Sequence, residues 1–394
     1  MAGAAKTVAR CGLVLLALAA AAPALALDLV VTRFDDPVPD GCIVGDCSLR
    51  EAVVTANQLS GPDRIIVPAG LYILTIAGGA SNNAAVGDLD ILGPVEIVGA
   101  GAQSTVVLAS HSNRHFNITP GNAATLSGLR LDGGRAGTGG SIQNNGTLVM
   151  RDAILSNNQA TVEGGAVRLG SGEHMLFQRV RFEGNLATGP GGAVYTGTGG
   201  GSFAETVFIN NSAVDGGAIA GFDIRVRDSL FQGNSASGSG GAIDSLAGCS
   251  CALLEVRHST FAGNQAGTVG AGGALRVGHA FTVALSTFSG NSAGIGGAIH
   301  VSNAGLGGPY RIEASTLTGN IALLNGSGVF FAAPQSPHLQ LANTLIAGTC
   351  ARSGAGIGAM VGQGNVESPG ITCGLGTGNL ASIPAGQLAL GALA

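Results

Sequence analysis

Arginine, aspartate and histidine recur at one place in this 394-residue sequence, three and four residues ahead of a phenylalanine. Arg227 and Asp228 precede one phenylalanine, and Arg257 and His258 precede the next. Guanidinium groups bind carboxylates well, so one interpretation of these residues is a groove for an anionic sugar. The other is a series of surface ion pairs, each worth little. The following copy has Ala-Leu at these positions, which favours the second interpretation.

Catalysis on polysaccharides would need a different set of side chains. Glycoside hydrolysis uses two carboxylates across the scissile bond, and the one adjacent acidic pair, Asp35-Asp36, precedes the repeats. The paired Asp, Gly-His-Gly and Arg-x-Lys set of polygalacturonases does not occur. We therefore expect no catalytic residues. The alternative is a polysaccharide-degrading enzyme, either a lyase of the pectate-lyase type or a hydrolase.

Metal and cofactor sites are also not expected. The seven His lack the spacing of zinc ligands, and Asp88 with Asp90 fits a turn at a strand edge better than a cation site. Cys249 and Cys251 form a tight pair without further ligands nearby. Gly-x-Gly patterns are expected by chance among 68 glycines, and no helix signal follows them.

The first 26 residues read as a secretory signal. Lys6 and Arg10 precede the apolar run 11–22, and small residues end the segment at Ala26. Residues 27–394 then contain no Lys, 16 Arg and a net charge of −7, which argues against nucleic acid or anionic lipid as a partner. No other apolar run approaches 18 residues, so we expect no integral membrane segment.

A repeat organises most of the chain. Glycine pairs begin at Gly139, Gly164, Gly191, Gly216, Gly240, Gly272 and Gly296, with a degraded copy at Gly326. Their spacing of 24–32 residues is too short for propeller blades, and the scattered Gly and β-branched residues argue against helical repeats. The pattern predicts an all-β, right-handed parallel β-helix of roughly ten coils.

Apolar residues stand in register with the glycine pairs. Three positions of each repeat are apolar: the phenylalanine position and the positions five and seven residues before it. We expect each to form a column inside the solenoid, since alternate side chains of a strand face the same side. The phenylalanine column comprises Leu155, Phe182, Phe208, Phe231, Phe261, Phe288 and Leu317.

An asparagine follows three residues after each member of that column. Asn tolerates the left-handed backbone of a tight corner, and stacked amides can form a hydrogen-bonded ladder. A row of sugar ligands is the alternative interpretation; the structural one is favoured. The residues are Asn158, Asn185, Asn211, Asn234, Asn264, Asn291 and Asn320.

The ends differ from the repeats. Residues 47–57, "CSLREAVVTAN", predict a helix in which Ser48 and Glu51 have capping-box spacing. Such a helix can cap the open end of a solenoid. We expect a signal peptide at 1–26, an N-terminal cap at 27–60, a β-helix at 61–348 with signature repeats at 139–325, and a Gly/Ala-rich tail at 349–394 that has lost the β pattern.

Six cysteines remain after the signal segment, an even number that suggests disulfides in an exported protein. Cys42 with Cys47, and Cys350 with Cys373, are the plausible bridges. A bridge between Cys249 and Cys251 would be strained.

The motifs resemble known exported proteins. "CSLREAVVTAN" resembles the CSLREA motif of exported bacterial β-helix proteins, and "GGAI" with "FxxN" resembles the repeat of polymorphic outer-membrane proteins, which are surface-exposed autotransporter adhesins. We expect no autotransporter barrel within residues 349–394, which are too short for eight strands of about ten residues. The resemblance implies an exported or surface β-helix and no catalytic residues. We therefore expect an extracellular or outer-membrane protein with an adhesive or structural role, and a carbohydrate or a surface protein of a host or neighbouring cell as its partner.

Overall fold

The computed structural model describes residues 27–78, 83–110, 113–170, 174–246, 253–302, 309–332, 338–353 and 360–384. Over these ranges the chain winds as a right-handed parallel β-helix, and every strand pair is parallel. The fold predicted from the sequence is confirmed. No helix in these ranges has the length and apolar character needed to span a membrane.

The coils contribute strands to four ladders that run along the solenoid. The first ladder contains Asp28–Val30, Asp63–Val67, Val95–Gly99, Ala123–Ser127, Thr147–Ser156, Met175–Glu183, Gly201–Ala204, Ile224–Arg227, Leu254–Arg257, Phe281–Ala284, Tyr310–Glu313, Leu339–Ala342 and Met360–Val361. The second ladder contains Gly70–Leu74, Thr105–Ala109, Arg130–Asp132, Val207–Ile209, Leu230–Gln232, Thr260–Ala262, Thr287–Ser289, Thr316–Thr318, Leu345–Ala347 and Val366–Ser368, together with the second halves of Thr147–Ser156 and Met175–Glu183.

The other two ladders complete the coil. The third contains Arg135–Thr138, Gln159–Glu163, Leu186–Ala187, Ser212–Ala213, Ser235–Ala236, Ser292–Ile295 and Ile321–Asn325. The fourth contains Leu89–Ile91, Phe116–Ile118, Ile142–Asn144, Val167–Leu169, Val194–Tyr195, Ile219–Gly221, Ile243–Ser245, Leu275–Val277, Ile299–Ser302, Val329–Ala332 and Cys350–Arg352.

The core is built from columns of like residues, as the repeat predicts. The phenylalanine column lies in the second ladder, and its rings from Phe182 to Phe288 stack at centroid distances of 4.6–4.9 Å. In the first ladder Val226 pairs with Val256, and both are buried. Close packing of these columns gives the solenoid one continuous core.

The helix Leu49–Ala56 packs against the first coil. Ser48 Oγ accepts from the Glu51 N–H, and Glu51 Oε2 accepts from the Ser48 N–H, so the capping box forms. The Asn57 amide donates to the Asp90 carbonyl and accepts from the Leu92 N–H. The helix therefore closes the end of the fourth ladder, where no earlier coil can supply these groups.

One sequence expectation about the tail differs from the structure. Strands Cys350–Arg352, Met360–Val361 and Val366–Ser368 continue the ladders beyond residue 348. The expectation that the β pattern ends near residue 349 is wrong there, because these strands are only two or three residues long and lack the repeat signature. The domain boundaries themselves stay predictions.

Candidate functional site

The four polar residues singled out in the sequence lie at the bend between the first and second ladders. Arg227 and Arg257 end their strands in the first ladder, and Asp228 and His258 are the bend residues that follow. The bend residue takes a left-handed backbone in successive coils, with φ of 46–53° at Asp152, Arg179, Glu205, Asp228, His258, Leu285, Ala314 and Asn343. We call the exposed side chains at and just before this bend the bend stripe.

The serine or threonine that follows the bend residue stabilises the left-handed backbone. Ser229 Oγ accepts from the Thr206 N–H at 3.0 Å, and Ser259 Oγ accepts from the Ser229 N–H at 3.2 Å. The same bond links Ser259 to Ser286, and Ser286 to Ser315. These residues are buried, so the hydroxyls satisfy N–H groups that the bend removes from the regular ladder. This serine column was not predicted, although the residues recur two positions before the phenylalanine.

The polar side chains of the bend stripe lie close to one another. Arg227 Nε lies 3.4 Å from Asp228 Oδ2, and His258 Nδ1 lies 3.8 Å from Asp228 Oδ1. Arg257 pairs with Glu255 at 2.5 Å. These side chains are roughly one-third to two-thirds exposed, so each pair contributes little to stability.

Across coils the pairing is tighter at one point of the stripe. Arg179 donates two hydrogen bonds to Asp152, at 2.6 and 2.9 Å, although the two residues are 27 apart in sequence. This bidentate contact lowers the pKa of Asp152 below its ordinary value.

A shallow surface pocket of about 280 Å³ lies on the outer side of the first ladder beside the stripe. Its lining includes Arg225, Arg227, Glu255 and Arg257, whereas Asp228 and His258 stand at the bend and do not line it. Arg227 and Arg257 are direct neighbours in the register. Like charges opposite each other on a sheet are unfavourable, and here each arginine has an acidic neighbour, Asp228 for Arg227 and Glu255 for Arg257.

A second polar row lies on the outer side of the fourth ladder and was missed by the sequence analysis. It consists of the residue that follows the aliphatic position of the "GGAI" pattern, and its members are Gln143, Arg168, Tyr195, Ala220, Asp244, Arg276, His300 and Phe330. The sequence signal for it was the change of residue type at that position, while the residues just before it are small or aliphatic in every copy.

The fourth-ladder row contains a buried acid. Asp244 is fully buried, and Arg276 Nη1 donates to both of its oxygens at 3.0–3.1 Å. Burial raises the pKa of Asp244 to about 7, with the Asp215 charge adding to the rise and Arg276 opposing it. His300 stacks on Phe330 at 5.2 Å, and burial lowers the pKa of His300 to about 4.

The seven asparagines that were predicted to stack on one another, here called the ladder asparagines, lie in one buried column. Asn234 shows the pattern: its Nδ2 donates to the Phe208 carbonyl and to Asn264 Oδ1, and its Oδ1 accepts from the N–H and Nδ2 of Asn211. The expected left-handed backbone is not at these residues. It lies at the preceding one, for example Gly233 with φ of 64°, because the corner turns before the amide enters the coil.

The structure joins Cys42 to Cys47 and Cys350 to Cys373 as disulfides. Cys249 and Cys251 lie outside the described residues. Asp88 pairs with Arg114 at 3.2 Å, and Asp90 Oδ1 accepts from Asn117. Among the described residues no group of three or more His, Cys, Asp or Glu is arranged to hold a metal ion.

Comparison with known proteins bears on the repeats. Residues 179–197, 205–221, 228–245 and 286–302 match the Chlamydia polymorphic membrane protein repeat, which confirms the resemblance seen in "GGAI" and "FxxN". No curated protein matches the chain. The resemblance of residues 47–57 to the CSLREA motif stays a prediction.

Similar solved structures include the catalytic domain of a GH87 α-1,3-glucanase in complex with nigerose, at 12% identity over 92% of this chain and 67% of that chain, with a TM-score of 0.41. ORF18 of Geobacillus virus E2 aligns at 12% identity over 91% of this chain and 59% of that chain, with a TM-score of 0.24. At these TM-scores neither similarity bears on the function of this chain. What the chain is similar to in sequence is the repeat of Chlamydia polymorphic membrane proteins.

Proposed function

We propose that this protein is an exported β-helix protein with a non-enzymatic adhesive or structural role, located outside the cell or at a bacterial outer surface. The observation that carries the proposal is the set of four repeats similar to those of Chlamydia polymorphic membrane proteins, on coils that present a long exposed bend stripe. The stripe has both charge signs, already paired, on a solenoid side that runs over many coils. Such a surface suits weak, multiple contacts with a carbohydrate or with a surface protein of another cell.

The test is incubation of the chain beginning at Leu27 with a panel of neutral and acidic polysaccharides, followed by size-exclusion chromatography. Co-elution at unchanged polymer length is expected for a carbohydrate-binding adhesin. Parallel binding of intact cells to the immobilised chain tests a protein partner. Absence of binding in both assays would contradict the adhesive role and leave the structural one.

A polysaccharide-degrading enzyme is the second candidate, and Asp244 is the observation in its favour. A carboxyl group with a pKa near 7 can act as a general acid at neutral pH, and a second carboxylate, Asp215, influences it. Against this, Asp244 is fully buried and bonded to Arg276. Shortened polymer in the same chromatography, abolished by Asp244→Asn, would establish this candidate in place of the first.

A further inference from the structure

The backbone nitrogen of Leu27 lies 3.2 Å from Oδ1 of Asp63 and donates a hydrogen bond to it. Strand pairing fixes this contact. The Leu27 carbonyl accepts from the Arg64 N–H at 2.9 Å, and the next residue, Asp28, pairs in register with Arg64. The nitrogen therefore has one position relative to the carboxyl group.

Asp63 is a buried acid whose hydrogen bonding is incomplete. The residue is 1% exposed, and its Oδ2 has no hydrogen-bond partner within the described part of the chain. A buried carboxylate oxygen without a donor costs free energy, as does a buried charge without a counter-charge. A peptide N–H at Leu27 offers a single donor and no charge, whereas an ammonium group offers three donors and a positive charge.

We infer that Asp63 is the built-in acceptor for the α-ammonium group that forms when the chain is cut between Ala26 and Leu27. The inference rests on the export proposed above, with a signal peptidase as the hydrolase. The cleavage is a hydrolysis. The C–N bond breaks, the hydroxyl of water joins the Ala26 carbonyl carbon, and the remaining proton of water joins the Leu27 nitrogen. The new carboxylic acid gives up its proton through solvent, and the amine takes one up to become the ammonium.

The charged side chains near Asp63 pair with one another, so the Asp63 carboxylate is available to the new N-terminus. Arg64 pairs with Asp28 at 4.0 Å and with Glu96 at 3.7 Å, and these three side chains are about half exposed. Asp63 is buried and Arg64 exposed, as expected for adjacent residues of one strand. Processing thus changes the contact between Leu27 and Asp63 from a hydrogen bond donated by a peptide N–H to a buried ion pair with an ammonium group.

The lack of lysine allows the ammonium group to be labelled selectively. Residues 27–394 contain no lysine, so the α-amine is the one primary amine of the processed chain. Amine-acylating reagents attack only the unprotonated amine, and an ion pair keeps it protonated. A chain that begins at Leu27 can be released from a removable fusion partner and acylated with an N-hydroxysuccinimide ester near pH 7.5.

We expect this chain to be acylated about tenfold more slowly than the same chain carrying Asp63→Asn, which corresponds to a rise of about one unit in the pKa of the amine. Asp28→Asn, which removes an exposed acid from the same strand pair, should leave the rate unchanged. A chain that begins two residues earlier, at Leu25, should also react rapidly, because its Leu27 nitrogen is again a peptide nitrogen and its ammonium group belongs to a different residue.

A thermal melt gives a second readout that needs no substitution. An amine whose pKa is raised by folding stabilises the chain fully below its unfolded pKa of about 8, and this stabilisation is lost at higher pH. Between pH 8 and 10 the chain that begins at Leu27 should therefore lose a few degrees more of Tm than the chain that begins at Leu25.

Equal acylation rates and parallel melts for the Leu27 and Leu25 chains would overturn the inference while leaving export intact. N-terminal sequencing of protein exported from the full-length precursor separates the two ideas. A first residue other than Leu27 overturns the assignment of the site, and retention of residues 1–26 also contradicts the proposed export.

Discussion

The ladder asparagines between the two ends of the column use their whole side-chain amide. Asn234 donates twice and accepts twice, all at 2.9–3.0 Å, and all four partners belong to neighbouring coils. Buried amides are costly unless every donor and acceptor is satisfied. The column therefore specifies which coil follows which, in addition to stabilising the corner.

Replacement of Asn234 by Ala should lower the free energy of unfolding by about 2–4 kcal/mol, because it leaves buried groups of Asn211 and the Phe208 carbonyl without partners. Gln232→Ala changes an exposed residue two positions earlier and should cost less than about 0.5 kcal/mol. Urea unfolding of both variants checks this. Similar stabilities would show that the amide column carries no net stabilisation.

His115 makes stability depend on pH. It is fully buried, with Nδ1 3.0 Å from Ser141 Oγ and Nε2 3.1 Å from the Val107 carbonyl. The carbonyl can only accept, so Nε2 carries the proton and Nδ1 accepts from the serine. Burial lowers the pKa of His115 to about 4.

Because the unfolded chain takes up the proton near pH 6.5 and the folded chain only near pH 4, this histidine contributes stability above pH 6.5 that is lost as the pH falls toward 4. The loss amounts to about 3 kcal/mol. His115→Gln should flatten the fall in Tm between pH 6.5 and 4, whereas His258→Gln, an exposed change at the bend, should not. Identical pH profiles for the wild type and His115→Gln would contradict the assignment.

At the scale of elements, stacked phenylalanines pack successive strands of the second ladder against one another. Phe231 is fully buried and stacks on Phe208 and Phe261 at 4.6 Å on both sides. Offset aromatic stacking adds to the burial of apolar area. A cavity at this position would thus remove contacts with two coils at once.

Phe231→Ala should cost about 3–5 kcal/mol through the cavity it leaves. Phe231→Leu, which keeps most of the volume, should cost considerably less. Thermal or denaturant unfolding measures both changes. A loss below about 1 kcal/mol for the alanine variant would mean that the column does not bear on stability.

At the scale of the whole molecule, the side chains of the bend stripe can be replaced without changing the core. The simultaneous change of Arg227, Asp228, Arg257 and His258 to Ala removes exposed ion pairs and leaves the core columns untouched. Tm should therefore stay within about 2 °C of the wild type. Loss of polymer or cell binding at unchanged Tm would locate the adhesive surface, and a collapse of the fold would contradict the outer placement of these residues.

The sequence by itself determined the parts that depend on short-range periodicity. Alternation within strands and the 24–32-residue period identify the inward columns. The spacing of Ser48 and Glu51 identifies the helix start, because capping bonds span only three residues. The strands of the tail were not predicted, because strands of two or three residues are too short to show a periodic pattern.

Only the tertiary structure decided which side chains from different coils meet. Arg179 reaches Asp152 across 27 residues, and Leu27 reaches Asp63 across 36. Coil lengths vary, so the register between coils is not readable from spacing alone. The burial of Asp244, and with it the rise of its pKa, arises because neighbouring coils and turns enclose an outward-facing residue that strand alternation alone would place in solvent.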